Sequence, residues 1–170
     1  MAGLQGYDCE GILTINSWSF SNAAWMVYSD EQGAGGLLQL LGSGASRIGE
    51  DLVVPGLLGV VANPRRRTAQ RYDLNMMICG DIDGVTGLPT SNAFDGIVAN
   101  VKALTDSIVE LSSVGPQGLQ PATWDTGAVT YAADIHVLGI QISAVFQDKA
   151  TDQALALGTL QISIPDGRFA

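Results

Sequence analysis

Side chains that commonly carry out chemistry are scarce in this chain of 170 residues, which has one histidine and two cysteines. His136 stands between Ile135 and Val137 in an apolar stretch, a setting that favours a structural residue over a general base. Cys9 and Cys79 lack metal-ligand spacing, so we expect two buried free thiols in a reducing compartment. With scattered carboxylates and no phosphate-binding or nucleophile motif, we expect no enzyme, no catalytic or metal site and no cofactor.

Positive charge is also scarce, because eight Lys and Arg face 17 Asp and Glu, giving a formal net charge of −9. Such a balance repels free nucleic acid and anionic membranes at long range, which argues against either as the main partner. Residues 1–5 lack the charged and apolar regions of a secretory signal. No apolar run approaches the length that spans a bilayer. We therefore expect a protein that is made and kept soluble in a cytoplasm.

The few positive charges are concentrated in one basic belt. Five of the eight basic residues lie between positions 47 and 71: Arg47, Arg65, Arg66, Arg67 and Arg71. With two carboxylates this segment carries +3, whereas the remaining three cations and fifteen carboxylates give −12. One interpretation is a solvated strand edge on which arginines block unwanted pairing. The other is that Arg65, Arg66 and Arg67 meet acidic surface on a neighbouring copy, a head-to-tail contact that can close into rings.

The length and the 46% hydrophobic content predict one globular domain, and the 21 glycines favour many short strands over a helical bundle. Residues 11–16 are short and β-branched, which predicts a first strand. Pro55-Gly56 is a turn between two apolar stretches that predict a hairpin-like pair. From 71 to 79 the apolar residues alternate, predicting a half-buried strand with one face formed by Tyr72, Leu74, Met76 and Ile78.

A long loop at about 29–46 interrupts this β pattern. Glycines flank an apolar centre that contains Leu37, Leu38, Leu40 and Leu41. Structureless loops of this length are uncommon unless they serve a function, and four leucines fit poorly at a tip that stays in water. We consider two alternatives: a flexible loop that becomes ordered on a neighbouring subunit, and a strand or helical turn folded back on the core.

Asp81-Ile82-Asp83-Gly84 resembles the opening of a calcium loop, but the later acidic positions and the closing Glu are missing. We therefore expect a polar turn there, without a metal.

One helix is predicted after Ser91. Asn92 can cap it and Asp95 complements its N-terminal dipole, while Gly115-Pro116 ends it. The expected apolar stripe, docked on a sheet, consists of Phe94, Ile97, Val98, Val101, Leu104, Ile108 and Leu111.

The last third of the chain predicts an antiparallel hairpin, with strands at 133–146 and 154–164 around a polar turn at 147–153. In each strand the apolar face changes parity, at Gly139 and at Gly158. A glycine at a parity change marks a bulge or a sharp bend. We expect the two glycines almost opposite each other, in a bent hairpin that crosses from one sheet layer to another.

Several short motifs resemble tail proteins of long-tailed bacteriophages that infect actinobacteria. They are Gly49-Glu50-Asp51, Pro55-Gly56, Gly59, Arg65-Arg66-Arg67, Gly80-Asp81-Ile82-Asp83-Gly84, the amphipathic helix, and Ser163-Ile164-Pro165-Asp166-Gly167-Arg168-Phe169. The resemblance covers roughly residues 47 to 170. It implies the tail-tube fold, an antiparallel β-sandwich or barrel with one flanking helix. It also implies a ring of subunits around a lumen and a long loop that reaches the next ring.

The function implied is that of a virion structural protein, the tail tube subunit, whose rings, expected to be hexameric, stack around a lumen through which DNA passes transiently. Other tail proteins would be its partners. The same family includes distal tail, terminator and connector proteins, which are alternatives. A monomeric or dimeric binding module with a groove lined by the basic belt is an alternative of another class. The residues expected at the subunit interface are Leu37, Leu38, Leu40, Leu41, Arg47, Arg65, Arg66, Arg67 and Arg71.

Overall fold

A computed structural model of the chain describes residues 10–30, 34–41, 69–113 and 118–170, together with the backbone of four two-residue strands between positions 47 and 67. The strands are β1 Ile12–Ile15, β2 Trp18–Ser19, β3 Trp25–Val27, β4 Arg47–Ile48, β5 Leu52–Val53, β6 Val60–Val61, β7 Arg66–Arg67, β8 Gln70–Cys79, β9 Gln120–Asp125, β10 Thr130–Asp148 and β11 Gln153–Ile164. The helix α1 is Ala93–Ser113, and a 3-10 turn spans Leu37–Leu41.

Seven of these strands form one antiparallel sheet in the order β2-β1-β9-β10-β11-β8-β3. The prediction of a mainly β fold with one helix is therefore confirmed for the described residues. Within those residues the strand order has two ends, β2 and β3, so the sheet does not close into a barrel. Two further pairs, β4 with β7 and β5 with β6, lie outside this sheet.

The predicted C-terminal hairpin is confirmed as β10 and β11, and β10, with 19 residues, is the longest strand in the described part of the chain. Its first part, Thr130–Ile135, pairs with β9, whereas the part from His136 to Asp148 pairs with β11. The register shifts twice along the β10–β11 ladder, once between Val137 and Gly139 and once between Ile142 and Ala144. Both shifts add a residue to β10, as β-bulges do.

The expected position of the two hairpin glycines is wrong. Gly139 pairs with Gln161, and Gly158 pairs with Ile142, so each glycine lies beside a different bulge. Glycine is required at position 158 because the backbone of β10 approaches it closely. A Cβ there would lie 2.8 Å from the carbonyl oxygen of Gln141.

The expected parity change in β11 is also wrong, since burial alternates without interruption from Gln153 to Ile164. The buried face contains the small residues Ala154, Ala156 and Gly158, while Leu155 and Leu157 lie half-buried on the other face. The irregularity belongs to β10 alone, because the bulges supply the extra residues there.

Most buried apolar residues form one continuous cluster that includes side chains of the sheet and of α1, and a second, small cluster contains Met26 and Cys79. The alternation predicted for β8 is confirmed, because Tyr72, Leu74, Met76 and Ile78 are all buried. Other fully buried large side chains come from β1, β3, β9 and the C-terminal segment: Leu13, Ile15, Trp25, Trp124 and Phe169.

Helix α1 begins as predicted, since the Asn92 side-chain oxygen accepts hydrogen bonds from the backbone N–H groups of Phe94 and Asp95 at 2.9 and 3.1 Å. The predicted stripe is only partly buried. Phe94 and Val98 are 43% and 53% exposed, so their assignment to the core face is wrong. The apolar arc of the helix is wider than its contact with the sheet, and the buried part consists of Ala93, Ile97, Leu104, Ile108 and Leu111.

The start of α1 lies very close to the end of β8. A Cβ on Gly96 would overlap the carbonyl oxygen of Gly80. One turn later, the buried Asn100 side chain donates to the carbonyl oxygens of Cys79 and Ile82, both at 2.8 Å. These contacts fix one flank of α1 against the β8 end of the sheet.

The segment Asp81–Gly84 is a polar turn, as predicted. Asp83 accepts hydrogen bonds from the backbone N–H groups of Val85 and Thr86 at 2.8 and 2.9 Å. The bonds from Thr86 and Val85 lower the pKa of the Asp83 carboxyl below its ordinary value.

Candidate subunit interface

The basic belt is only partly described. Arg65 lies outside the described residues. In the backbone, β4 pairs with β7, which makes Arg47 the cross-strand partner of Arg67 and places Arg66 opposite Ile48. Arg71 is exposed near the start of β8, where it pairs with Ser163 of β11. The belt thus starts in the small β4–β7 pair and ends on the main sheet.

The four leucines of the 29–46 loop separate into two pairs. Leu37 and Leu40 are fully buried in the core of their own chain, whereas Leu38 and Leu41 are 60% and 38% exposed. For residues 34–41, the structure therefore shows the folded-back alternative. Leu37 and Leu40 cannot contact a neighbour while the turn stays folded. Positions 31–33 and 42–46 of this loop lie outside the described residues.

The contacts of the 3-10 turn explain why it is folded back. The Glu10 carboxylate accepts hydrogen bonds from the N–H groups of Leu37 and Leu38. At the other end of the turn, the Phe169 N–H donates to the carbonyl oxygen of Leu40 at 2.8 Å. The Gln39 side chain also donates to the carbonyl oxygen of Asp73 in β8 at 3.0 Å. The turn therefore lies along β8.

Cys79 is a free, buried thiol, and burial raises its pKa. A raised pKa disfavours the reactive thiolate, so Cys79 has the properties of a structural residue. His136 is half-buried, at the point where the β9 and β11 pairings of β10 meet. Cys9 lies outside the described residues. Within the described ranges no cluster of three or more His, Cys, Asp or Glu side chains could hold a metal ion.

A recess of about 230 Å³ lies beside the start of α1. Asp152, in the turn between β10 and β11, accepts a hydrogen bond from the Ala93 N–H there at 3.3 Å. The lining is mostly polar and consists of Asp81, Pro89, Thr90, Ala93, Thr151, Asp152 and Gln153. The aspartate therefore caps the helix across the hairpin turn, which gives this carboxylate a structural role.

The feature best suited to contact another chain is the outer edge of β10. Beyond Ile135, β10 has β11 on one side, and no strand of the described residues pairs with its other side. We call the stretch from Val137 to Gln147 on that side the free edge. It contains no charged residue and no proline. Its exposed large apolar residues are Leu138, Val145 and Phe146.

Natural proteins protect unpaired sheet edges with charges, prolines or bulges. The free edge has two bulges but none of the other protective features. It therefore leaves backbone N–H and C=O groups available to an added strand. The interface residues predicted from sequence did not include it. The run of uncharged residues from 137 to 147 is the feature of the sequence from which this edge could have been predicted.

A second exposed apolar surface accompanies the edge. Phe94, Val98 and Val109 are 43%, 53% and 63% exposed, and Val101 is half-buried. Their spacing places them on one flank of α1. Because Gly96 and Asn100 face β8 from the other flank, and the strand order is β8-β11-β10, the exposed flank lies on the side of the free edge.

Comparison of the chain with protein-family models, with curated proteins and with solved structures gives no match. The described part of the chain has no helix with both the length and the apolar character needed to cross a lipid bilayer.

Proposed function

We propose that this chain is a structural subunit that assembles side by side into rings, and that these rings stack into the tail tube of a long-tailed bacteriophage. The free edge of β10 is the observation that carries the proposal. A long, uncharged edge is a liability in a monomer, because it invites pairing with another chain. It is an advantage in a subunit whose sheet continues into its neighbour.

The motifs between residues 47 and 170 support the phage assignment, since they resemble tail proteins that have this architecture. The mainly antiparallel fold with one helix agrees with it at the level of fold class. A β-sandwich or barrel of the tail-tube type remains part of the proposal.

The charge distribution supports a tube through which DNA passes. With a net charge of −9, an assembly of many copies would repel DNA from its acidic surfaces and would not hold it. The basic belt would then meet acidic surface on the neighbouring copy. A structural role also agrees with the absence of catalytic motifs from the sequence.

Assembly of the purified chain tests this function. Size-exclusion chromatography with negative-stain microscopy over a wide concentration range should show rings or tubes. A stable monomer at the highest concentration would contradict the proposal and favour the monomeric binding module. Rings that never stack would instead favour a distal tail, terminator or connector protein.

Charge reversal tests the part played by the belt. Changing two of Arg65, Arg66 and Arg67 to Glu should prevent assembly and leave a folded monomer. A single exposed ion pair contributes only about 0 to 1 kcal/mol, so one substitution should have little effect. Normal assembly of the double variant would show that these arginines are solvated.

A further inference from the structure

The two ends of the sheet approach each other, although no ladder of the described strands joins them. The end strands β2 and β3 are separated in sequence only by residues 20–24. Between them, the Trp25 indole N–H donates to the carbonyl oxygen of Ser19 at 3.0 Å. We call the boundary between these two ends the seam. It is bridged here by a side chain.

Glu10 makes a second bridge across the seam. Its backbone carbonyl oxygen accepts a hydrogen bond from the Trp124 indole N–H at 2.9 Å, which holds Glu10 on the side of β1 and β9. Its carboxylate accepts hydrogen bonds from the Ser29 hydroxyl at 2.5 Å and from the backbone N–H groups of Leu37 and Leu38. The chain that follows β3 is therefore tied to the opposite side of the seam.

Residues 34–41, which we call the clasp, are also bonded to β8. The Asn75 N–H donates to the carbonyl oxygen of Gly35 at 2.8 Å. Further along, the Gln39 side chain donates to the carbonyl oxygen of Asp73 at 3.0 Å. The clasp thus connects Glu10, beside β1, with the strand β8 on the other side of the seam.

The last turn of the clasp is held by the segment that follows β11. The Phe169 N–H donates to the carbonyl oxygen of Leu40 at 2.8 Å. Next to it, Ala170 exchanges two backbone hydrogen bonds with Ala132 of β10, at 2.9 and 3.1 Å. The side chains of Leu37, Leu40 and Phe169 are all buried in the same cluster. The clasp and residues 169–170 therefore share one set of buried contacts.

These contacts depend on one another. Loss of the Glu10 bonds would free the start of the 3-10 turn, and Leu37 and Leu40 are buried only while that turn is formed. Phe169 would then lose both its backbone acceptor and part of its packing. Contacts linked in this way break together, as one cooperative unit. The sheet does not depend on them, because all ten residues of β8 keep their pairing with β11.

We propose that the clasp and residues 169–170 open and close as one unit while the paired strands stay folded. Opening releases the seam at Glu10 and gives solvent access to the core beneath Leu37 and Leu40. The inference is independent of the proposed function, because every contact that carries it lies within one chain.

Native-state hydrogen exchange, followed by NMR on the dilute full chain, tests the unit. The reporters are the N–H groups of Asn75 and Phe169, which bond to opposite ends of the clasp. The reference is the N–H of Leu74, which points towards β11 because that of Asn75 points away. In the wild type the two reporters should share one protection factor, at least about a hundredfold below that of Leu74, because partial opening costs less than unfolding.

Glu10→Ala removes the bridge and leaves the bonds of both reporters in place. It should lower the two reporter protection factors equally, by about tenfold or more, because hydrogen bonds to a charged group are lost. Should this variant fail to fold, Glu10→Gln removes only the charge and should again lower both by a common factor.

Asn100→Ala is the matched control. Its hydrogen bonds go to Cys79, the last residue of β8, and to Ile82, so they stay intact when the clasp opens. It should lower the protection factor of Leu74 and leave that of Asn75 and that of Phe169 unchanged.

Unequal changes at Asn75 and Phe169 in the Glu10 variants would show that the ends of the clasp open independently, and would overturn the inference. Reporters as well protected as Leu74 in the wild type would also overturn it, because the clasp would then open only when the whole chain unfolds. A loss of protection at the reporters in Asn100→Ala, as large as that at Leu74, would lead to the same conclusion.

Discussion

The carboxylate of Glu10 accepts a hydrogen bond from the backbone N–H of Leu37, 27 positions away in the sequence. Ser29 donates its hydroxyl to the same carboxylate. The first N–H groups of a helical turn have no partner within the turn, and Glu10 supplies one from the residue two positions before β1. This contact fixes the turn that places Leu37 and Leu40 in the core.

Replacing Glu10 by Ala should therefore lower the free energy of unfolding by about 2 kcal/mol, the usual contribution of hydrogen bonds to a charged group. Urea unfolding followed by tryptophan fluorescence measures the change. Glu110→Ala is the control, because Glu110 is exposed on α1 and its loss should change the unfolding free energy little. Equal effects of the two substitutions would show that Glu10 does not hold the turn.

Substitution by Ser should affect the buried leucines of the 3-10 turn, such as Leu40, far more than the exposed ones, such as Leu38. Leu40→Ser should cost about 3 kcal/mol of stability, because it removes a fully buried side chain and leaves a cavity. Leu38→Ser should change stability by less than about 0.5 kcal/mol, because Leu38 is 60% exposed. Thermal unfolding of the two variants, side by side, measures both. A folded, stable Leu40→Ser protein would support the flexible-loop alternative instead.

Local patterns in the sequence predicted the elements that depend on local chemistry. The alternation from Tyr72 to Ile78 identified β8, and the cap at Asn92 identified the start of α1, because period and capping are properties of neighbouring residues. The turn at Asp83 was also predictable, since its hydrogen bonds stay within three residues.

What the sequence could not reveal depends on contacts between distant segments. Which strand flanks β10 is decided by the pairing with Gln120–Asp125, so the free edge could not be located from the hairpin alone. The apolar arc of α1 fits several orientations, and the orientation that leaves Phe94 exposed is selected by the approach of Gly80 to Gly96 and by the hydrogen bonds of Asn100. A parity change was expected at Gly158 because Leu155 and Leu157 are the large apolar residues before it. The buried residues there are instead the smaller ones that alternate with them, Ala154 and Ala156.

Gly96→Ala should destabilise the protein, although Ala is favoured over Gly in a helix by about 1 kcal/mol. The added Cβ would overlap the carbonyl oxygen of Gly80, which is backbone and cannot rotate away. We expect a loss of about 1 to 3 kcal/mol, as for other overpacked sites. Urea unfolding measures it, with Thr105→Ala on the exposed face of the same helix as the control. A more stable Gly96→Ala variant would show that α1 can shift away from β8.

The buried, hydrogen-bonded hydroxyl of Tyr72 leads us to predict that the protein loses stability in alkaline solution. The hydroxyl donates to the carbonyl oxygen of Gly167 at 2.5 Å, and burial raises its pKa above the ordinary value of 10.0. Below pH 10 the phenol is neutral in both the folded and the unfolded chain, so the contribution of Tyr72 to the free energy of unfolding is fully present and does not change with pH. As the pH rises above 10, the unfolded chain loses the proton first, and this favours unfolding.

Tyr72→Phe should therefore be less stable than the wild type at pH 8, by about 1 kcal/mol for the lost hydrogen bond, and the difference should shrink as the pH rises above 10. Urea midpoints at pH 8, 10 and 11 measure both effects, and because other groups titrate in both proteins, the comparison isolates the phenol. A difference that stays constant from pH 8 to 11 would show that ionisation of Tyr72 is not coupled to unfolding.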